Sequence, residues 1–403
     1  IVDNVVTQVF PNDIKKYVER YLIAKGQSIE VLDLIKKTVE FNEKNLLGID
    51  AISLDFKNYT IDSQNFFFNN LFVNVTAESI QIKPYKDYSN YVWKKSILQH
   101  NITLEKPFFS YSKDENGNNK VEILQKDSEY MNFLINTSRV CWRKELEEQF
   151  PDENDRLQYM EKNRFNLTSN YLTAEENQLQ IDHFLSKCFA IGYILHKQKI
   201  QSFAKCVYVI DDKAKESEDE ANGRSGKSII FYGIDQVYPN RFLLDGKNKN
   251  LTTYNHILHG LTKENDYIYV EDLDQYVKFD FFYNWITGSI TVQPKQTKQY
   301  ELKFFDAPKV VITSNHGLPQ ITSSTQGRIL FVSTSDYYHE KTDHYNEQRK
   351  VSHDFGHDLF SVSWDKKQWN LLYNFFFQCC QFYMQNIDKP ILAPQSNINI
   401  NNA

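Results

Sequence analysis

A short stretch of small and polar residues near the middle of the chain has the composition of a phosphate-binding loop. Residues 221–228 read Ala-Asn-Gly-Arg-Ser-Gly-Lys-Ser. Such a loop needs small residues so that backbone N–H groups can turn toward the anion, a lysine for the outer phosphates, and a hydroxyl for Mg²⁺. Four residues meet these requirements: Gly223, Gly226, Lys227 and Ser228. We assign the predicted nucleotide contacts to Asn222, Gly223, Arg224, Ser225, Gly226, Lys227 and Ser228.

The sequence around this loop is less regular than the loop itself. Ala221 stands where such loops have their first glycine, and the polar, mostly acidic residues 211–220 separate the loop from the apolar run 206–210. Residues 229–234 are mostly apolar and predict a helix whose positive N-terminus faces the anion. Taken alone, the stretch could also be a glycine-rich turn that arose by chance. The residues downstream therefore decide whether nucleotide binding is the better interpretation.

Two adjacent carboxylates follow an apolar run a short way past the loop. Residues 267–270 predict a strand that leads directly into Glu271 and Asp272. An ATPase needs one acid to hold Mg²⁺ through water and another to accept a proton from the attacking water. The pair therefore predicts ATP and Mg²⁺ as cofactors, with Ser228 and Glu271 serving the metal. The alternative is an ordinary strand end with solvated acids.

Two further polar residues lie next to predicted strands. Residues 309–313 predict a buried strand that ends close to Asn315, whose amide can hydrogen-bond the γ-phosphate or orient the attacking water. Arg328 precedes a third predicted strand, and its forked, always charged guanidinium suits the γ-phosphate bound by a neighbouring subunit. The candidate catalytic residues are therefore Glu271, Asp272, Asn315 and Arg328.

A predicted hairpin carries two lysines close to its tip. Residues 289–292 and 299–304 read as its strands, and Lys295 and Lys298 lie in the turn between them. A hairpin of this kind is often only a solvated edge. Beside an ATPase core it can also hold successive phosphates of a single nucleic-acid strand, so the lysines are candidate DNA contacts.

The elements that must position these residues divide the chain into four predicted regions. Residues 1–125 mix helix and strand patterns, and residues 126–204 are helical, with 142–149 reading as a charged helical face. Strands and helices alternate over residues 205–340, and residues 341–403 predict a further helical region. The predicted fold class is α/β, with a phosphate-loop ATPase core preceded by a helical domain and an N-terminal α+β region.

Composition excludes several classes of protein. The formal net charge of −6 over 403 residues argues against a protein that coats nucleic acid over its whole surface. Five cysteines without a CxxC pair suggest neither a disulfide framework nor a zinc site, and indicate reduced thiols. We find no apolar run long enough to span a membrane. Because the chain begins with Ile1, we expect a longer protein with an upstream domain.

Four motifs, taken in order, resemble those of superfamily 3 helicases, and more closely the helicase half of phage and plasmid primase-helicases of the poxvirus type. They are motif A at residues 221–228, B at 270–272, B′ at 286–298 and C at 311–315. Similar segments also occur at residues 186–193, 335–339 and 354–356. The resemblance covers about residues 125–385 and leaves the N-terminal region largely unexplained.

The resemblance implies an AAA+ type core that assembles as a ring, usually a hexamer, around single-stranded DNA, with ATP between subunits. In such a ring Arg328 would be the arginine finger in trans, and Arg349 is the competing candidate. Residues 126–204 would form a collar for assembly. An upstream primase is the expected partner domain, and a phage-encoded protein would work in the cytoplasm of its bacterial host, away from the membrane.

The site residues have further implied roles. Lys227 and Ser228 would contact phosphate and Mg²⁺, Glu271 and Asp272 would serve metal and water, Asn315 would act as the sensor, and Lys295 and Lys298 would touch DNA. The function expected is an ATP-dependent DNA helicase of a phage or mobile element that translocates on single-stranded DNA during replication. Two alternatives remain: a packaging or remodelling AAA+ motor without unwinding, and a non-enzymatic, ATP-gated DNA-binding module for replication initiation.

Overall fold

The computed structural model describes residues 1–48, 52–211, 225–318, 321–343, 345 and 347–394. The first elements are β1 (Val5–Val6), α1 (Pro11–Ala24), α2 (Ile29–Lys37), α3 (Glu43–Leu46), β2 (Ser63–Phe67), β3 (Phe72–Thr76), β4 (Ile80–Lys83) and β5 (Val92–Trp93). Strands β2, β3 and β4 form an antiparallel sheet, and β1 pairs in parallel with β5. Helix α1 ends just before Gly26, whose φ of +67° suits a glycine at a helix end.

A hairpin follows the N-terminal sheet. Strands β6 (Phe109–Lys113) and β7 (Asn119–Ile123) pair antiparallel, with Phe109 opposite Ile123. Gly117 has a φ of +82° in the turn, a backbone conformation that glycine adopts without strain.

The next region is helical, as predicted. It contains α4 (Glu129–Asn136), α5 (Glu153–Asn163) and α6 (Ala174–Leu195). The charged face predicted for residues 142–149 is wrong, because Trp142, Glu145 and Leu146 are fully buried. Glu145 instead forms a 2.8 Å ion pair with the equally buried Arg139. Pairing of this kind allows charged side chains to enter a core that would otherwise exclude them.

The elements that follow are both strands and helices, and the last of them ends at Asn386. They are β8 (Cys206–Asp211), α7 (Lys227–Asp235), β9 (Phe242–Asp245), β10 (Tyr267–Glu271), α8 (Tyr283–Thr287), β11 (Ile290–Val292), β12 (Tyr300–Leu302), β13 (Lys309–Thr313), α9 (Ser323–Gln326), β14 (Ile329–Thr334), α10 (Val351–Phe355) and α11 (Lys366–Asn386). Within the described residues, five parallel strands form one sheet in the order β14, β8, β13, β10, β9. The mixed α/β class is therefore confirmed, and so is the hairpin formed by β11 and β12.

Both faces of this parallel sheet are buried, which explains why its strands are almost wholly apolar. Alternate residues of β10 enter different cores: Tyr267 and Tyr269 pack on one side, whereas Ile268 and Val270 pack on the other. The first core also contains residues of the N-terminal sheet, of α4 and α6, and of α11. All of these elements thus pack on the same face of the sheet.

Helices α6 and α11 lie in close contact at a glycine. A Cβ built on Gly192 would lie 2.0 Å from the carbonyl oxygen of Cys379 and 2.8 Å from the Cβ of Tyr383. The helix backbones can approach this closely only because residue 192 has no side chain. Among the described residues, no helix is long and apolar enough to cross a membrane.

Candidate nucleotide site

The parallel strands bring their carboxyl ends to one edge of the sheet, which is where ligands bind in open α/β sheets. A cavity of about 490 Å³ lies at this edge. Among the residues that line it are the predicted site residues Ser225, Gly226, Lys227, Ser228, Asp272 and Asn315. The remaining predicted loop residues, Asn222, Gly223 and Arg224, lie outside the described residues, together with Ala221.

The end of the loop is fixed by Gly226. Its φ of +91° lies in the left-handed region, and a Cβ at this position would lie 2.8 Å from Cε2 of Phe133. A glycine is therefore required both by the backbone conformation and by the contact with α4. Helix α7 begins at the next residue, so its N-terminal N–H groups lie beside the cavity. That arrangement favours an anion.

Lys227 is buried and paired. Its ammonium group donates to a carboxylate oxygen of Asp211, at the end of β8, and lies 3.4 Å from Oγ of Ser225. The other Asp211 oxygen accepts a 3.1 Å hydrogen bond from Oγ1 of Thr334, at the end of β14. Lys227 is thus held at the sheet edge by a carboxylate that a bound phosphate would have to replace.

Ser228 and Glu271 lie together. The Ser228 hydroxyl donates a 3.3 Å hydrogen bond to Oε1 of Glu271, and the Tyr269 hydroxyl lies 3.5 Å from the same oxygen. Burial raises the pKa of Tyr269 to about 12, so this phenol stays protonated. A hydroxyl and a carboxylate at this spacing suit Mg²⁺, which binds through one or two protein oxygens and completes its shell with water and phosphate. Among the described residues, no group of three or more His, Cys, Asp or Glu could hold a metal ion.

The backbone of Asp272 adopts a left-handed conformation. Its φ of +54° is rare for a residue with a side chain, and such conformations cluster at functional sites. Its N–H donates to Oγ1 of Thr313 at 3.1 Å, which ties it to the end of β13. Its carboxylate is partly exposed and pairs at 3.0 Å with Lys247. The structure therefore gives the two adjacent acids different surroundings, with Glu271 beside the serine and Asp272 at the wall of the cavity.

Asn315 reaches the cavity from the neighbouring strand. The preceding residue, Ser314, is fixed by a 3.0 Å bond from its N–H to the Val209 carbonyl and a 2.8 Å bond from its hydroxyl to the Leu273 carbonyl. These contacts hold the end of β13 between β8 and β10. Asn315 is thereby positioned next to the phosphate loop, as the sequence predicts.

Arg328 lies at the opposite edge of the sheet. Its carbonyl accepts a 2.7 Å hydrogen bond from the N–H of Cys206, which begins β8. Its guanidinium covers the Tyr283 ring at 4.4 Å and donates at 3.2 Å to Oγ1 of Thr287. Arg328 therefore does not join the nucleotide cavity of its own chain, and its role toward a neighbouring subunit stays a prediction.

The two hairpin lysines are also remote from this cavity. Lys295 and Lys298 are exposed in the turn between β11 and β12, where Gln296 has a φ of +63°. The N–H of Lys295 lies 3.3 Å from Nδ1 of His259, and its ammonium is 5.8 Å from the Tyr254 ring centre. The turn thus packs on the loop that contains Tyr254 and His259, so an aromatic ring and an imidazole lie beside Lys295.

The sequence analysis did not assign three residues to this cavity. Asp211 belongs to the acidic stretch between the apolar run 206–210 and the loop, and its carboxylate contacts Lys227. Arg349, considered as a finger for a neighbouring subunit, lines the cavity of its own chain, and so does His339. Comparison with protein-family models and with curated protein sequences found no match.

Proposed function

We propose that the chain is the ATP-hydrolysing motor of a DNA helicase, with an AAA+ type core. The observation that carries this proposal is the convergence of Lys227, Ser228 and Glu271 at the carboxyl edge of a parallel sheet. The order of the strands supports it. Because β13 lies between β8 and β10, residues 225–228, Asp272 and Asn315 line one cavity, and Glu271 adjoins it through its hydrogen bond with Ser228.

The residues of this cavity have separate tasks in ATP hydrolysis. Lys227 leaves Asp211 and binds the outer phosphates, while the N-terminus of α7 binds them through backbone N–H groups. The Ser228 hydroxyl and the Glu271 carboxylate would hold Mg²⁺, which would supply positive charge to the phosphates.

Asp272 and Asn315 are the residues proposed to hold the attacking water. Asp272 lies at the cavity wall and is free of the serine, so it is the better placed acid to accept the proton from water. Asn315 orients that water or the γ-phosphate. Their positions on adjacent strands keep both groups close to the phosphate loop.

Single-stranded DNA is the proposed substrate of the motor. Its phosphates would contact Lys295 and Lys298, and bases could stack on exposed aromatic groups such as Tyr254. The hairpin that carries the lysines follows β10 and precedes β13 in the chain, so a change at the cavity has a short covalent path to the turn. Assembly as a hexameric ring, with Arg328 reaching the nucleotide of the next subunit, belongs to the same proposal.

A motor that moves DNA or protein without unwinding would share this cavity, and an ATP-gated binding module would share the fold. The exposed lysines of the hairpin favour a nucleic-acid substrate over a protein one. The two acids at the cavity favour turnover over simple gating, because a switch that never hydrolyses ATP has no need of a proton acceptor.

ATP hydrolysis with and without single-stranded DNA tests the proposal directly, combined with the mass of the particle in solution. We expect DNA-stimulated hydrolysis by a ring-sized particle, and its loss in Lys227→Ala. Lys162→Ala is the matched control, since Lys162 is exposed and lies on α5, away from the cavity.

Hydrolysis that persists in Lys227→Ala would refute the assignment of the site. Hydrolysis without strand displacement would favour the motor that does not unwind. Nucleotide binding without turnover would favour the binding module.

A further inference from the structure

Two residues on the far wall of the cavity are joined through their backbones. The N–H of His339 donates to the carbonyl of Arg349, and the N–H of Arg349 donates to the carbonyl of His339, both at 2.9 Å. Both side chains line the cavity beside Lys227 and Ser228. They therefore form a fixed unit that faces the phosphate loop from the segment between β14 and α10.

A tryptophan from the helical region supports both side chains of this unit. Trp142 is fully buried, and its ring stacks on His339 with 5.3 Å between centroids and 17° between planes. The guanidinium of Arg349 covers Trp142 at 4.7 Å and Tyr337 at 4.6 Å. The indole N–H donates a 2.6 Å hydrogen bond to Asp336, which fixes the ring.

The supported arginine keeps one nitrogen for a ligand. Arg349 is only 6% exposed, and one of its terminal nitrogens pairs with Glu347. The other, Nη1, is buried and has no hydrogen-bond partner among the described residues. A buried guanidinium nitrogen without a partner is costly, and a ligand oxygen that accepted a hydrogen bond from it would remove that cost.

The imidazole of His339, next to Arg349, is uncharged. Nδ1 lies 2.9 Å from the Asp336 carbonyl, so it carries the proton, and Nε2 has no partner among the described residues. Burial lowers the pKa of this imidazole, which keeps it uncharged at neutral pH. The cations on this wall are Arg349 and Lys350. Lys350 lies 3.9 Å from the carboxylate of Glu340, and the charge of Arg349 does not depend on pH.

We propose that Arg349 recognises the γ-phosphate of ATP within its own subunit, and that Trp142 is the residue that positions it. This inference rests on the proposed function, because it requires that ATP occupies the cavity. A residue this buried, at the wall of its own chain's cavity, does not reach a neighbouring subunit as a finger. Through Trp142, the helical region is in direct contact with the group that distinguishes ATP from ADP.

The test compares the affinities for a non-hydrolysable ATP analogue and for ADP in the full chain, measured by displacement of a fluorescent nucleotide. For Arg349→Met we expect about tenfold to hundredfold weaker binding of the ATP analogue, the usual effect of losing one charge-assisted hydrogen bond. Binding of ADP is expected to be unchanged, since ADP has no γ-phosphate. ADP binding also reports that the cavity is still folded.

Two substitutions test Trp142: one removes its aromatic ring and the other keeps an aromatic ring. Trp142→Leu is expected to lower the preference for the ATP analogue over ADP, as Arg349→Met does. Trp142→Phe keeps an aromatic face under Arg349 and is expected to restore most of that preference. A purely structural role would instead lower both affinities together, or alter neither.

The outcomes separate this inference from the proposed function. If the wild-type chain binds neither nucleotide, the proposed function fails. If the wild type binds ATP and Lys227→Ala does not, but Arg349→Met keeps the wild-type ratio of the two affinities, the inference about Arg349 fails alone. Unchanged binding with lost turnover in Arg349→Met would assign the residue to a neighbouring subunit and overturn the role proposed here.

Discussion

The ammonium group of Lys227 is paired with the carboxylate of Asp211, which ends the strand that precedes the phosphate loop. Lys227 is 7% exposed and Asp211 is 19% exposed, so the pair is poorly screened by water. A phosphate that enters the cavity competes with Asp211 for the same cation. The carboxylate therefore positions the lysine and at the same time opposes the binding of an anion.

We expect Asp211→Asn to bind nucleotide about threefold to tenfold more tightly, since it removes this competing charge and leaves Lys227 available. The asparagine oxygen can still accept the hydrogen bond from Thr334. Titration calorimetry with ADP and Mg²⁺ on both proteins measures the effect. Weaker binding in Asp211→Asn would show that the carboxylate contributes to the bound state, for example through the metal.

The hairpin lysines are expected to account for part of the salt dependence of DNA binding. Each phosphate contact on a single strand contributes about 0.7 to the slope of log K against log salt. Replacing both Lys295 and Lys298 with alanine is expected to lower that slope by about 1.4 and to reduce stimulation of ATP hydrolysis by DNA. Fluorescence anisotropy with a labelled oligonucleotide at several salt concentrations gives the slope.

The matched control for this pair is the double change of Lys113 and Lys120 to alanine. These lysines are also exposed and belong to the hairpin formed by β6 and β7. An equal loss of slope in both double variants would mean that DNA binds through overall charge, and would remove the β11–β12 hairpin from the DNA site.

Gly192→Ala is expected to destabilise the fold, because the new methyl group would meet the backbone of α11. The carbonyl oxygen of Cys379 would be 2.0 Å from it, and a backbone atom cannot turn away as a side chain can. Overpacking of this kind costs about 1–3 kcal/mol in the free energy of unfolding, and more where backbones must separate. Urea denaturation followed by circular dichroism measures the change.

Gly327→Ala is the control for that substitution. Its nearest atom would be the Ser323 carbonyl oxygen at 3.3 Å, a tight contact that a small shift relieves. We expect its effect to be under about 1 kcal/mol. Equal stabilities for Gly192→Ala and the wild type would mean that α6 and α11 are not packed as described.

Strands β10 and β13 could be predicted from the sequence, because each is a short apolar run with polar residues at or just after its end. Glu271, Asp272 and Asn315 were found in this way, since strand ends are local features of the chain. The same reasoning placed the helix after the loop at residues 229–234, close to its observed start at Lys227.

The contacts across the cavity could not be predicted, because they depend on which strands are neighbours. Asp211 meets Lys227 only after α7 folds back on β8, and no spacing in the sequence shows this. Arg349 and Trp142 are more than 200 residues apart in the chain. Their contact arises from tertiary packing, so the sequence leaves open which subunit Arg349 serves.

Two buried histidines are expected to make the fold sensitive to mild acid. Burial lowers the pKa of His183 and of His196 to about 3, with the nearby charges of Lys187 and Lys309 acting in the same direction. In the unfolded chain both pKa values return to about 6.5. Between these limits the unfolded state binds more protons than the native state, so stability is lost as the pH falls below about 6.5.

Each histidine contributes a slope of up to about 1.4 kcal/mol per pH unit in that window. The window from pH 6.5 to 5 is the informative one, because most carboxylates titrate below it. His196→Gln is expected to lower the slope by up to about 1.4 kcal/mol per pH unit, because it removes one of these groups. Glutamine can still donate to the Thr60 carbonyl that Nε2 of His196 contacts at 3.0 Å, so the fold is expected to be kept. His353→Gln changes an exposed histidine and is expected to leave the slope as it is. Urea denaturation at pH 6.5, 5.75 and 5 gives the three slopes, and an equal slope in wild type and His196→Gln would mean that His196 is already protonated in the native state.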